Sequence, residues 1–335
     1  MLLARRTFLG LLAGGAAPAI ALAQPAPPRI ALVLPQALPQ DIAGAEPAAR
    51  PVRYFLQALR DLGYEDGRSL VVERHTLEGH PERAPGLFAE LVGRKIRMLV
   101  VSTNALVREA RRATATVPIV MLAADPVEDG LVASLSRPGG NVTGVDGLPS
   151  AAFSQKWLQL LREAAPAVTR VAALTGPRAP NPKLVDRQMS ELEQAARALR
   201  LRLLWAEIPA GDTVVPRLAA LLPQRPEALL AVNSATLIIA RREIIAFAAQ
   251  HRLPSVGPVA VFAEDGALLS YGSDSKETWR RVAGYVDRIL KGARPADLPV
   301  QQPTNYELIV NLKTARALGL AMPETLRLRA SRVIE

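Results

Sequence analysis

Three short clusters of small polar residues each follow an apolar run, and their chemistry suits holding a small molecule. Ser102, Thr103 and Asn104 follow Met98–Val101 and open a helical pattern. Hydroxyls and the unpaired N–H groups of a helix start can hold a carboxylate or another anion. The same residue types also cap helices, so a purely structural role stands beside the binding one. Asn233, Ser234 and Thr236 follow Leu229–Val232 and mirror the first cluster. Asp125 follows Ile119–Ala123 and precedes Pro126. Its carboxylate could accept from a ligand ammonium or shape the turn before proline.

Signatures of catalysis are missing around these clusters. The chain has no cysteine, and its histidines are His75, His80 and His251. Disulfides, thiolate metal sites and a Cys nucleophile are excluded, and a multi-His metal site nearly so. His75 and His80 have a spacing that suits joint ligation on neither a helix nor a strand. No phosphate loop, G-x-G-x-x-G, G-x-S-x-G or H-E-x-x-H occurs. Glu128 and Asp129 could form a carboxylate pair; Asp129 equally reads as the cap of a short helix over Asp129–Leu135. The expectation is a binder without cofactor or metal, not an enzyme. The rival is an enzyme using Asp125 and Asp146 in a cleft.

Composition narrows the class further. At 335 residues and 49% hydrophobic, the chain can build about two domains with real cores. Its 41 basic residues give a net charge of +10. They are scattered along helices without interleaved aromatics, so nucleic acid is not an expected partner. Residues 1–23 open with Arg5-Arg6, continue in a Gly/Ala-rich apolar run, and end Ala21-Leu22-Ala23. The segment resembles a twin-arginine export signal, cleaved near Ala23. The mature protein is then expected outside the cytoplasmic membrane, in the periplasm.

The clusters must be positioned by the elements between them. Ile30–Leu34, Leu70–Glu73, Met98–Val101, Ile119–Ala123 and Val142–Val145 read as strands, separated by helical patterns such as Val52, Phe55, Leu56 and Leu59. A long helix begins near Ser150. The alternation then restarts with strands at 171–174, 201–205, 229–232, 255–257, 268–270 and 307–310. This pattern implies an α/β protein of two doubly wound parallel-sheet lobes. Ligands of open parallel sheets lie beyond the carboxyl ends of the strands, where all three polar clusters fall.

Three long motifs carry a family resemblance. They are LRDLGYEDGRSLVVER (59–74), ATATVPIVMLAADPVEDGLVASLSRPGGNVTG (113–144) and YVDRILKGARPADLPVQQPTNYELIVNLKTARALGL (285–320). Together they resemble the ABC transporter substrate-binding protein family, whose relatives include binders of tryptophan and other aromatic amino acids. The resemblance implies a type 1 periplasmic-binding fold with three hinge crossings. Lobe one would comprise 29–146 plus 272–298, and lobe two 147–271 plus 299–335. Asp146 would sit at the first crossing and Tyr271 at the second, each able to touch a ligand or to serve the hinge. The implied partners are a small-molecule ligand such as an amino acid or related small carboxylate, and a membrane permease with a separate ATPase; the protein itself would be a monomer. A ligand sensor signalling to a membrane receptor is the alternative role on this fold. One departure stands out: relatives often place Asn directly after the strand at 171–174, whereas this chain has Thr175-Gly176-Pro177, with Asn181-Pro182 later.

Overall fold

The computed structural model describes residues 26–147, 150–178, 182–209 and 213–335. The expected export signal over 1–23 and Asn181 lie outside them. The first series runs β1 (Arg29–Leu34), α1 (Pro39–Ile42), α2 (Arg50–Asp61), β2 (Val71–Thr76), α3 (Ala84–Gly93), β3 (Met98–Ser102), α4 (Asn104–Ala113), β4 (Ile119–Ala123) and β5 (Val142–Asp146). The second runs α5 (Ser150–Ala164), β6 (Arg170–Thr175), α6 (Pro182–Ala198), β7 (Arg202–Glu207), α7 (Val214–Ala219), β8 (Ala228–Ala231), α8 (Ala235–Ile239), α9 (Arg241–Gln250), β9 (Ser255–Gly257), α10 (Ala260–Glu264) and β10 (Leu269–Ser273). It closes with α11 (Ser275–Leu290), β11 (Tyr306–Asn311), α12 (Leu312–Leu318), α13 (Glu324–Arg329) and β12 (Arg332–Ile334).

Two sheets result, ordered β2-β1-β3-β4-β5 and β12-β11-β10-β9-β8-β6-β7. All pairs are parallel except β10 with β11. The protein is therefore the two-lobed α/β fold that the alternation implied.

The period-2 geometry of β1 explains why its run is apolar throughout. Ile30, Leu32 and Leu34 face one layer with Val52, Phe55, Leu59 and Trp279. Ala31 and Val33 face the other with Phe88, Leu91, Leu106 and Val107. Each of the fully buried Val, Leu, Ile and Phe side chains among them contributes roughly 1.5–3 kcal/mol. Gly63 follows the end of α2 at φ +89°. Its amide reaches Arg60 O, and that of Tyr64 reaches Leu59 O, which completes a Schellman cap.

The late helix α11 belongs with the first sheet: its Trp279 ring lies 5.9 Å from Phe55, edge to face. The chain therefore leaves the first sheet after Asp146, returns after Ser273, and leaves again before Tyr306. These crossings are tied together. The Asp146 amide donates to Gln301 O at 2.9 Å and the Gln301 amide to Gly144 O at 3.0 Å. The Ser273 hydroxyl donates to Gly147 O at 2.9 Å.

The structure corrects the sequence reading in places. Asp129–Leu135, expected as a short helix, is a run of turns and bends. The Asp129 carboxylate is engaged elsewhere, so it caps nothing. The helix expected over Ile238–Gln250 breaks at Ala240 into α8 and α9. The short α1, α10, α13 and β12 carried too few residues to show a period. No described helix is long and apolar enough to cross a membrane.

Candidate functional site

In the first lobe, β3, β4 and β5 end side by side, with Ser102 paired to Leu122 and Ala123 to Asp146. The backbone turns sharply at two of these ends. Thr103 has φ +81° and Asp125 φ +46°. Such conformations in residues with a Cβ cost on the order of 1–3 kcal/mol each and cluster at ligand clamps. Thr103 is held by its amide, which donates to Leu122 O at 2.9 Å. Among the described residues, nothing hydrogen-bonds the side chains of Ser102 or Thr103, and no side chain caps the start of α4.

Asn104 is placed differently. Its Nδ2 donates to Ala124 O at 2.7 Å and to Asp129 at 2.8 Å, while its Oδ1 accepts the Ala124 amide at 2.9 Å. The carboxamide thus extends the β3–β4 pairing beyond the strands and fixes the loop that carries Asp125. Arg108, one turn further along α4, pairs with the same Asp129.

Asp146 is buried. Its Oδ1 accepts the Asp125 amide at 3.1 Å and its Oδ2 accepts Gln302 Nε2 at 3.0 Å. It thereby links the β4 loop to the third crossing.

The second lobe supplies the opposing ends. Leu174 on β6 pairs with Ala231 on β8, so Thr175-Gly176 lies beside Val232-Asn233. A Cβ on Gly176 would collide with the Ser234 hydroxyl, so this glycine permits the close approach of the two loops. Asn233, Ser234 and Thr236 are all partly exposed there. Tyr271, on β10, sits nearer the crossings. Its carbonyl accepts Trp157 Nε1 at 2.7 Å.

Tyr271 is one of four clustered rings. Phe153 lies 5.2 Å from Tyr306, 5.7 Å from Tyr271 and 5.9 Å from Trp157. Phe153 and Trp157 are buried, while Tyr306 remains 38% exposed. Burial, with Tyr306 adding to it, raises the Tyr271 phenol above its ordinary pKa, so it stays neutral. The strand-end segments themselves hold few aromatics. The structure brings Phe153 and Tyr306 to Tyr271 from α5 and from the start of β11.

Charge crosses between the lobes at two places that the sequence did not single out. Arg187 of α6 reaches Asp125 Oδ2 at 3.0 Å and also meets Glu128. Arg50, first residue of α2, pairs with Glu264 at the end of α10, which Arg332 also meets. Burial alone would raise the Glu264 carboxyl; hydrogen bonds from Arg50 and Arg332 reverse this and hold it below the ordinary range. Asp125 thus meets the second lobe through Arg187, and Asn104 and Asp146 support the loop that carries it. Among the described residues, no three His, Cys, Asp or Glu gather as metal ligands.

Comparison with known proteins places this arrangement in context. Residues 48–334 match a family described as ABC transporter substrate binding protein. A tyrosine-binding protein of Clostridioides difficile is 25% identical over 268 residues, covering 79% of this chain and 75% of that one. A crystal structure of an ABC domain from Streptococcus pneumonia, in complex with L-Trp, superposes with a TM-score of 0.81 at 22% identity, covering 92% of this chain and 100% of that one. A conserved domain protein of Vibrio cholerae gives a TM-score of 0.79 at 27% identity, covering 91% of this chain and 99% of that one.

Proposed function

This chain belongs to the ABC transporter substrate-binding protein family, and we propose that it captures an amino acid with an aromatic side chain between its lobes for an importer. The observation that carries this reading is the strand-end cluster of the first lobe. Unengaged hydroxyls of Ser102 and Thr103 stand at a helix start, and beside them the Asp125 carboxylate, held in a strained turn, meets the second lobe through Arg187.

Each feature suits one part of such a ligand. Ser102, Thr103 and the first N–H groups of α4 take the carboxylate. Asp125, exchanging with Arg187, takes the ammonium. Asn233, Ser234 and Thr236 close from the second lobe, and Tyr271 with Tyr306 packs against the ring. The relatives named for tyrosine and bound to L-Trp support this choice of ligand class. Closure about the three crossings traps the ligand, and the closed form is the one a permease recognises. Lobe one is then 29–146 plus 272–298 and lobe two 147–271 plus 299–335. The site of action is outside the cytoplasmic membrane, after export directed by residues 1–23, with ATP hydrolysed by a separate subunit.

A thermal-shift screen of ligand-stripped protein tests the reading. The panel is amino acids, small carboxylates, nucleosides and sugars. A ligand at 100 times its dissociation constant adds about 2.7 kcal/mol. Saturable stabilisation by aromatic amino acids is the expected result. Stabilisation by another class alone would overturn the assignment.

A further inference from the structure

We propose that Arg187 and Arg50 are positioning residues that set how readily the cleft closes, through two salt-sensitive ion-pair bridges between the lobes. The inference rests on the two-lobed capture reading and adds to it the means by which closure is balanced.

Both bridges join an element of one lobe to an element of the other. Arg187 lies on α6, against the second sheet, and its partners Asp125 and Glu128 lie in the loop after β4 of the first. Arg50 opens α2, packed with α11 on the first sheet, and its partner Glu264 ends α10 on the second. The acidic partners are sheltered: the side chains of Asp125 and Glu264 are 14% and 16% exposed. Ion pairs there gain more than at an open surface, because less water screens them. Asp125 is also aimed, since Asp146 holds its amide from the hinge.

The second feature is that each bridge has a partner to fall back on within one lobe. Arg187 lies 3.6 Å from Glu191, one turn along the same helix. Glu264 keeps Arg332 when Arg50 withdraws. Opening therefore leaves Arg187 and Glu264 paired, while Asp125, Glu128 and Arg50 return to water in the widened gap, so its cost stays moderate. Such a pairing makes a two-state element that a ligand can bias with modest differential affinity.

The test uses the absence of native cysteine. Spin labels at L38C and I239C, exposed positions after β1 of one lobe and β8 of the other, report the distance between the lobes. Distances are measured without ligand from about 20 mM to about 1 M salt, where the Debye length falls to about 3 Å. The expected result is a short distance at low salt that lengthens as salt rises. In R50Q/R187Q the closed-to-open ratio at low salt falls about tenfold. R187K, which keeps the charge, restores part of the short population, and circular dichroism checks that each variant is folded. Identical distances in the parent and in R50Q/R187Q, or no response of the parent to salt, would overturn the proposal. Because no ligand is present, an error in the ligand assignment leaves this outcome unaffected.

Discussion

The carboxylate of Asp146 accepts the backbone amide of Asp125 at 3.1 Å, so the last residue of β5 fixes the residue that meets the other lobe. Removing that carboxylate leaves a turn amide and the Gln302 side chain without their acceptor. Asp146→Ala should lower stability by about 1–3 kcal/mol, with Asp146→Asn less harmful because it retains an acceptor oxygen. Urea denaturation midpoints measure both, and an unchanged midpoint for the alanine variant would contradict the linkage.

Thr103 carries strain and a free hydroxyl together, and two substitutions separate them. Thr103→Gly relieves the positive φ and should gain about 1 kcal/mol in stability, after the entropic cost of glycine. Thr103→Ala keeps the strain and removes the hydroxyl together with the γ-methyl. It should leave the melting temperature within a degree or so of the parent while weakening ligand binding roughly tenfold. Equal affinity in Thr103→Ala and the parent would remove Thr103 from the contact set.

Asn104 and Asn233 are similar in the sequence and should differ sharply on mutation. Asn104→Ala deletes three hydrogen bonds that hold the β4 loop, so stability falls by about 2 kcal/mol and affinity falls with it. Asn233→Ala touches no such network among the described residues. It should weaken binding while leaving the unfolding midpoint in place. Calorimetry on both proteins, with and without ligand, makes the comparison.

Glu307 gives a pH signature. Burial, opposed by Arg332 and reinforced by Asp274 and Glu264, raises its carboxyl above the ordinary value. The folded state therefore binds this proton more tightly than the unfolded chain. Its contribution to stability is favourable at acid pH and is lost as pH rises through the folded pKa. Glu307→Gln should melt higher than the parent at pH 7, with the gap closing as pH falls below the ordinary carboxylate range. A gap that widened toward acid pH would reverse the assignment.

The fold was legible because its signal is periodic. A strand such as Ile30–Leu34, buried on both faces, must be apolar at every position, and α2 must be apolar at a helical spacing. The strand-end residues Ser102, Thr103, Asp125 and Asn233 were legible because topology alone places them. Arg187, Arg50 and Glu264 were not. On a helix, a charged residue that crosses to another lobe looks like one that faces water. Tyr306 escaped notice for a related reason, since its ring partners come from α5 and β10, far away in sequence. The turns over Asp129–Leu135 show local propensity overridden: Asp129 pairs with Asn104 and Arg108 instead of capping a helix.

The placement of α11 on the first sheet has a consequence for how the chain matures. Tyr64 bonds Asp287 across a separation of 223 residues, and Phe55 waits as long for Trp279. At roughly 5–20 residues per second, synthesis leaves that interval open for about ten to forty-five seconds. Throughout it, the faces of α2, β4 and β5 that α11 covers stay open, while β6 to β10 of the second sheet are made. The first lobe to emerge is thus among the last to finish, and its nascent form is the species that a chaperone would meet.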